Sequence, residues 1–365
     1  MYIYGINLAV IGLLYFFIYH SRTPKIAFLK LSLLYLFIIS SFRHQTIGTD
    51  YIVYVQIFRN VIQGGGSWVE RGYTLLNRLV GMVTHHYVGL AVAVNTFLFV
   101  PLYFYIRNNV HPRYWGLCVF IFAANPYMFV QSTFNVLRQT CATGILLIGM
   151  NALLNRNRKK LHVLFYFFMV LIAAQFHKIS YTFVLVPLLL SIKWQKAYWY
   201  VLTVVAIALN FVGVRALAAI AVRVFGFGSD YISYESSMLN NPIYVMFVTV
   251  VIFFLLSHYE AYAAEGKETK RIIDLYLFSL CFLIMALPND SFYRVYMMLA
   301  FCALPGVPAV CASTRPGSSR IRIKHEEYYV EKLYVFYYLF FYVGYVALLA
   351  IKQNTAYVPF RFFFN

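Results

Sequence analysis

The sequence predicts an all-α, polytopic integral membrane protein from its composition, its aromatic content and the spacing of its apolar runs. Of the 365 residues, 62% are hydrophobic and only 12% are charged. Because so few polar side chains cannot cover a water-soluble globule, we expect the bilayer to be the solvent of this chain. The 33 Tyr and 35 Phe are typical of a protein with many rings at the membrane interfaces.

The apolar runs predict about twelve transmembrane or re-entrant helices, since a hydrocarbon core of roughly 30 Å takes about 20 helical residues. We expect them to form a single transmembrane domain over residues 1–365. Two runs are short, so they are either two spans or two half-helices that meet at the membrane face; they are 161–176 and 179–192. The other runs lie at 2–19, 26–42, 86–106, 114–131, 133–154, 197–222, 243–264, 272–288, 293–313 and 333–351.

The basic residues predict the orientation of these helices. Lys and Arg cluster in alternate loops, such as 156–160 and 267–271, which we expect on the cytoplasmic side. Both termini and two longer segments, 43–85 and 223–242, are then extracytoplasmic. The net charge of +18 does not indicate a nucleic-acid partner, because the basic residues form short loop clusters and no continuous stripe.

The first polar constellation lies in the segment 43–85. Arg43 precedes a turn at Gly48 that leads into Asp50, and Glu70 follows later in the same segment. A carboxylate beside a turn glycine and an arginine suits an anionic sugar carrier next to a general base. The same residues also fit a capped amphipathic helix over 51–63, with Asp50 or the residue before it as its N-cap. The spacing alone leaves both interpretations open.

Three further positions are candidates for chemistry. Arg138 lies inside an apolar run, where a guanidinium is costly unless it is paired, faces water or snorkels to the headgroups. His177, beside Lys178, lies at the junction of the two short runs and fits either a proton carrier or a capping residue. Arg294 follows Asp290 by one turn and is either its i+4 partner or a functional cation, since a cation near a helix N-terminus gains nothing from the dipole.

Several enzyme classes lack their motifs in this chain. The sequence has no P-loop, no GxGxxG, no HExxH and no GxSxG, which disfavours ATP hydrolysis, zinc proteolysis and triad chemistry. The outward carboxylates are too scattered in sequence to define a metal site. We therefore expect no metal and no cofactor.

An ordered set of motifs resembles a known family. The set is Arg43-x4-Gly48-Thr49-Asp50-x3-Tyr54, Glu70-x-Gly72-x4-Asn77, Asn135-x2-Arg138 and Phe176-His177-x2-Ser180. Over most of the chain it resembles the EpsG-like branch of the Wzy-type polysaccharide polymerases. The resemblance implies a bacterial plasma (inner) membrane glycosyltransferase with a GT-C-like fold. Its substrate would be oligosaccharide repeat units linked to undecaprenyl pyrophosphate, which it would join at the outer face into O-antigen or exopolysaccharide. A chain-length regulator and a flippase would be candidate partners.

The resemblance also implies roles for individual residues. Asp50 is the first choice as general base and Glu70 the second, because a carboxylate near a lipid interface can have a raised pKa. His177 adds a donor or replaces Asp50 as the base. The expected substrate- and pyrophosphate-binding residues include arginines, whose planar forks match phosphate oxygens; they are Arg43, Arg138, Arg294, Tyr54, Asn135 and Tyr293. The alternatives are a lipid-linked oligosaccharide flippase or transporter, a membrane glycan ligase or O-acyltransferase, and a non-catalytic scaffold subunit.

Overall fold

The computed structural model describes residues 2–19, 25–155, 159–212, 223, 242–286, 290–313, 324–351 and 360–364. Within these ranges the regular structure is helical, apart from one antiparallel bridge between Arg43 and Phe362, which confirms the all-α prediction. The chain divides into two compact units, one formed by Met1–Ser180 with Glu331–Asn365 and the other by Tyr181–Val330. The single transmembrane domain stays a prediction.

The first unit is built around three helices that pack in series. Helix α5 packs against α7, and α7 packs against α8. Most side chains of α7 are buried, so it is the central helix of the three. The helices of this unit in chain order are α1 (Tyr2–Leu14), α2 (Lys25–Ser41), α3 (Tyr51–Ile62), α4 (Arg71–Val83), α5 (Tyr87–Asn109), α6 (Trp115–Ala124), α7 (Leu137–Leu153) and α8 (Lys160–Ala174).

The second unit is built around one long helix, α12, which packs against its helical neighbours within that unit. Its helices are α9 (Lys196–Val212), α10 (Pro242–Ser257), α11 (Tyr259–Glu265), α12 (Lys267–Ala286), α13 (Asp290–Leu299) and α14 (Ala303–Ser313). A last helix, α15 (Lys324–Ile351), begins in this unit and belongs to the first unit from Glu331 onward.

The membrane class of the prediction is confirmed, but its count of spans is not. Two described helices are long and apolar enough to cross a bilayer, namely α5 and Phe292–Ser313. Two bent pairs add up to two more if each is one span: Pro112–Ala124 with Tyr127–Phe134, bent by 68°, and Val245–Ser257 with Tyr259–Glu265, bent by 54°. About twelve spans are therefore not reproduced in the part of the chain that the structure describes.

The predicted run 114–131 is wrong as a continuous helix. Helix α6 ends before Asn125, whose side-chain oxygen accepts a hydrogen bond from the Tyr127 amide at 2.9 Å. Pro126 follows at once, and a proline has no amide to continue the helical ladder. The next run also begins later than predicted, since α7 starts at Leu137.

The structure favours half-helices for the short runs at 161–176 and 179–192. Helix α8 has 15 residues, which span about 22 Å at 1.5 Å per residue. The second run starts as a 3₁₀ helix, Lys178–Leu185, and continues into the short helix Val186–Leu189. Neither element is long enough to cross a hydrocarbon core of roughly 30 Å by itself.

The segment 43–85, which the sequence predicts to be extracytoplasmic, contains α3 and α4. Helix α3 begins after Asp50 at the N-cap position and ends before Gly64, which has a positive φ of 84°. The capped-helix interpretation is thus correct for the local backbone. The other predicted segment, 223–242, lies outside the described residues except for its two end positions.

Candidate active site

One carboxylate in the first unit brings together two helix starts and one helix end. Glu70 is the N-cap residue of α4, Arg138 lies in the first turn of α7, and His177 follows the end of α8. The Nη1 of Arg138 donates to the Oε2 of Glu70 at 2.6 Å, and the Nδ1 of His177 lies 3.5 Å from Oε1. The side chains of Arg138, Glu70 and His177 are 15%, 10% and 4% exposed. We call these three residues the Glu70 cluster.

The backbone around Glu70 holds this cluster in place. The amide of Lys178 donates to the Oε1 of Glu70 at 3.3 Å, and the amide of Gly72 donates to the Gln175 carbonyl at 2.9 Å. A Cβ on Gly72 would lie 2.8 Å from that same carbonyl oxygen, which is closer than side chains tolerate. The start of α4 can therefore approach the end of α8 only because residue 72 is a glycine.

Two aromatic rings flank the guanidinium of Arg138. Its Cζ lies 5.9 Å from the ring centroid of Tyr54 and 5.3 Å from that of Trp68, both within the range of cation–π attraction. Tyr54 is buried, and its ring packs edge-on against the buried Tyr73. Trp68, by contrast, is 73% exposed. Trp68 was not among the predicted site residues, although a tryptophan two positions before Glu70 in a glycine-rich stretch is a signal that the sequence contains.

The electrostatics of the cluster keep Glu70 ionised. Burial raises the pKa of Glu70, but the hydrogen bond with His177 and the charge of Arg138 outweigh it and lower the pKa to about 2. A general base works best when its pKa is near the working pH. At neutral pH Glu70 is therefore a weak proton acceptor and a strong partner for the two cationic or polar groups beside it.

Arg43 lies in the interior of the first unit. It has no exposed surface; its Nε donates to the Ile47 carbonyl at 3.3 Å, its Nη2 donates to the Phe134 carbonyl at 3.4 Å, and its Nη1 donates to the Ser40 carbonyl. Its Cζ lies 3.9 Å from the centroid of the Tyr51 ring. This geometry favours a positioning role over the predicted direct contact with pyrophosphate, because the guanidinium is engaged by carbonyls and covered by rings.

The turn before Asp50 is held by the same region. Gly48 has a φ of 109°, and the Phe134 carbonyl is too close to admit a Cβ there. The Thr49 amide donates to the Oδ1 of the buried Asn135 at 2.8 Å. Asn135, which was predicted to bind substrate, therefore uses its side-chain oxygen to fix this turn.

Asp50 itself is half-buried and keeps its carboxylate available. Its side chain makes no cap hydrogen bond to α3, and in the described ranges the carboxylate has no hydrogen-bond or ion partner. The Tyr54 amide donates to the Asp50 carbonyl at 3.3 Å, so the two residues are one helical turn apart and share a face of α3. The Asp50 carboxylate is therefore one helical turn from Tyr54, whose ring centroid lies 5.9 Å from the Cζ of Arg138.

Arg294 and Tyr293 lie on α13 in the second unit, where both side chains are half-exposed. Their convergence with the Glu70 cluster stays a prediction. Within the described residues no group of three or more His, Cys, Asp or Glu side chains could hold a metal ion. The structure therefore brings Tyr54 and the Glu70 cluster together, with Arg43 and Asn135 supporting the turn next to them.

Comparison with known protein families identifies this chain. The model of the EpsG family matches residues 26–362, nearly the whole chain. This range contains every predicted site residue and Trp68. No curated protein and no solved structure matches the chain.

Proposed function

The chain belongs to the EpsG family of Wzy-like polysaccharide polymerases, and on this premise we propose that it joins lipid-linked oligosaccharide repeat units at the outer face of the bacterial plasma membrane. The family membership implies an integral membrane polymerase of the glycosyltransferase kind with a lipid-linked substrate. The proposal adds that the donor is a growing glycan on undecaprenyl pyrophosphate. The acceptor is a hydroxyl at the non-reducing end of a new lipid-linked unit.

The reaction needs a base at one bond and positive charge at another. The acceptor oxygen forms a bond to the anomeric carbon of the donor and loses its proton to the base. The bond between that carbon and the pyrophosphate oxygen breaks, and its electron pair leaves with the pyrophosphate. Preorganised donors aimed at the oxygen that gains charge lower the barrier of such a step.

The observation that carries the proposal is the ion pair of 2.6 Å between Arg138 and Glu70. Arg138 has a planar fork of five N–H donors, and Glu70 orients this fork through Nη1. A fixed guanidinium can bind two oxygens of a phosphate at once. We assign Arg138 to the leaving pyrophosphate and Glu70 to the positioning of Arg138. His177 is assigned as a further donor, and Arg294, Tyr293 and Tyr54 as additional binding residues.

We assign the general base to Asp50. Glu70 is a poor candidate, since its pKa of about 2 gives it little affinity for a proton at neutral pH. Asp50 has an unengaged carboxylate one turn from Tyr54, and the turn that presents it is held by Arg43 and Asn135. Those two residues are positioning residues in this proposal. His177 is the alternative base, since a histidine next to a carboxylate has the arrangement that other enzymes use for proton abstraction.

Replacement of the two assigned residues tests the proposal. In cells that carry Arg138→Ala or Asp50→Asn, we expect polymer to disappear and single repeat units to accumulate on the carrier lipid of the outer leaflet. Arg78→Ala is the matched control, because Arg78 lies exposed on α4 in the same segment; this variant should make normal polymer. Normal polymer from both Arg138→Ala and Asp50→Asn would contradict the assignment.

The same experiment separates the alternatives. A flippase or transporter predicts that repeat units accumulate on the cytoplasmic leaflet. A glycan ligase or O-acyltransferase predicts normal polymer that is not attached or not acylated. Analysis of the glycan by leaflet and by chain length therefore distinguishes both of these alternatives from a polymerase.

A further inference from the structure

Trp68 is an exposed tryptophan that touches the candidate site. It lies in the stretch between α3 and α4, after Gly64–Ser67, and is 73% exposed. The three other tryptophans, Trp115, Trp194 and Trp199, are buried or half-buried. An indole is a large apolar side chain, so its exposure next to a charged cluster leaves an aromatic face open to a ligand of that cluster.

The indole extends the Glu70 cluster outward. The Cζ of Arg138 lies 5.3 Å from the centroid of the Trp68 ring, so the cation and the ring attract each other and restrain the ring. Most of the indole surface remains open. A molecule that places a phosphate on Arg138 therefore brings its next chemical group to the indole.

We propose that Trp68 forms a stacking subsite for the sugar ring that is attached to the pyrophosphate of the lipid-linked substrate. The inference rests on the proposed function, since it takes the phosphate of that substrate as the ligand of Arg138. The face of an aromatic ring carries partial negative charge, and the C–H bonds on the face of a pyranose carry partial positive charge. A pyranose attached to a phosphate on Arg138 therefore has its apolar face within reach of the indole.

The position of Trp68 favours a sugar over the bilayer as its occupant. Tryptophans also anchor proteins at the headgroup level, and such an anchor is expected among other exposed apolar residues. The most exposed of these lie at the opposite end of α4, where Met82 is 81% exposed and Val83 is 87% exposed, while Leu75 and Leu79 along the helix are 56% and 51% exposed. That end is about 18 Å away along the helix axis, whereas the residues directly before Trp68 are glycines and a serine.

The first test measures indole fluorescence of the purified protein in lipid nanodiscs. Oligosaccharide fragments of the host's own polysaccharide are the probe. We expect a saturable change in emission for the wild type and its loss in Trp68→Phe, which removes the reporting indole. An equal change in both proteins, or none in the wild type, would overturn the subsite.

A second measurement uses nanodiscs that contain brominated lipids. Bromine quenches only indoles that lie in the bilayer. We expect the same absolute loss of emission intensity in the wild type and in Trp68→Phe, because the bromine then reaches only the other tryptophans. A larger absolute loss of emission in the wild type would place Trp68 in lipid and would overturn the proposal.

Kinetics provide a third readout that does not depend on fluorescence. Loss of one stacking contact predicts a KM for the lipid-linked repeat unit that is about tenfold higher in Trp68→Ala. Trp68→Phe should recover most of this loss because it keeps an aromatic face, and Met82→Ala should leave KM unchanged. An unchanged KM in Trp68→Ala would remove the subsite while the polymerase assignment stands. Normal polymer from Arg138→Ala and Asp50→Asn would remove that assignment itself.

Discussion

Two clusters in this protein use the same ingredients, a buried carboxylate, a cation and aromatic rings, in opposite ways. In the second unit, Asp274 accepts hydrogen bonds from Trp199 at 3.0 Å, from Tyr259 at 2.9 Å and from Lys270 at 2.8 Å. Lys270 also donates to the Trp194 carbonyl at 2.9 Å. Both carboxylate oxygens are thus engaged, and the partners link α12 to α9 and α11.

The Glu70 cluster of the first unit is less saturated. Arg138 is held by Glu70 through one nitrogen and also interacts with Tyr54, and its guanidinium lies beside the exposed Trp68. The comparison indicates that a carboxylate–cation pair stabilises the fold when both carboxylate oxygens are engaged by partners from several helices. The same pair can serve chemistry when part of the cation is left for a ligand.

The strongest test of this difference is Arg138→Lys. It keeps the charge but loses the planar fork, so we expect polymerisation to fall by about 100-fold, as it does when one donor to a developing anion is removed. The measurement is polymer formed per mole of folded protein. Activity within threefold of wild type would show that Arg138 acts only as a point charge.

For Asp274→Ala in the second unit we expect a loss of stability and no loss of specific activity. Removal of one partner of a buried ion pair costs about 3 kcal/mol of unfolding free energy, because Lys270 is left without its carboxylate. Thermal unfolding of the detergent-solubilised protein should show this loss. The specific activity of the protein that remains folded should be unchanged. A large loss of specific activity would break the distinction between the two clusters.

A smaller effect is expected when the approach of α4 to α8 is disturbed. Gly72→Ala places a Cβ 2.8 Å from the Gln175 carbonyl oxygen, which displaces Glu70 from Arg138 and His177. We expect about a tenfold loss of activity, in line with the cost of a small misplacement in an active site. Gly66→Ala is the control, since nothing lies within 4 Å of its Cβ. Equal activities of the two variants would show that the close approach is unimportant.

The smallest effect is the pH dependence of stability that Glu70 contributes. Its pKa in the folded protein, about 2, is below its ordinary value of 4.5, so the folded state holds the ionised form. The stabilisation is fully present above about pH 4.5 and is lost as the pH falls towards 2. The difference in Tm between wild type and Glu70→Gln should therefore be constant at neutral pH and shrink below pH 4.5. A difference that grows on acidification would contradict the sign of this linkage.

Some features of the site could be predicted from residue types. Arg138 is conspicuous as a cation in an apolar run, His177 lies at the junction of two predicted short runs, and Glu70 is a carboxylate in the predicted outer segment 43–85. Pro126 coincides with the break in the run 114–131, because a proline lacks the amide of the helical ladder, although Pro101 inside α5 and Pro308 inside α14 do not end their helices. These are local properties of the chain, so residue type and position in the sequence are sufficient to predict them.

Other features depend on contacts between distant parts of the chain. The Arg138–Glu70 pair joins residues 68 positions apart, and the amide of Lys178 meets Glu70 across 108 positions. Asp50 and Glu70 look alike in sequence, yet of the two only Glu70 has a cationic partner among the residues that the structure describes. Arg43 looks like a surface cation before a turn, and packing encloses it completely.

The sequence by itself determined that this protein belongs in a membrane, that it is helical and which family it is a member of, because composition and ordered motifs are properties of the chain alone. Only the tertiary structure decided which carboxylate holds Arg138, that Arg43 is buried and that Trp68 lies beside the site. The physical reason is that charge pairing and burial depend on distances in space, and no spacing along the chain specifies those distances.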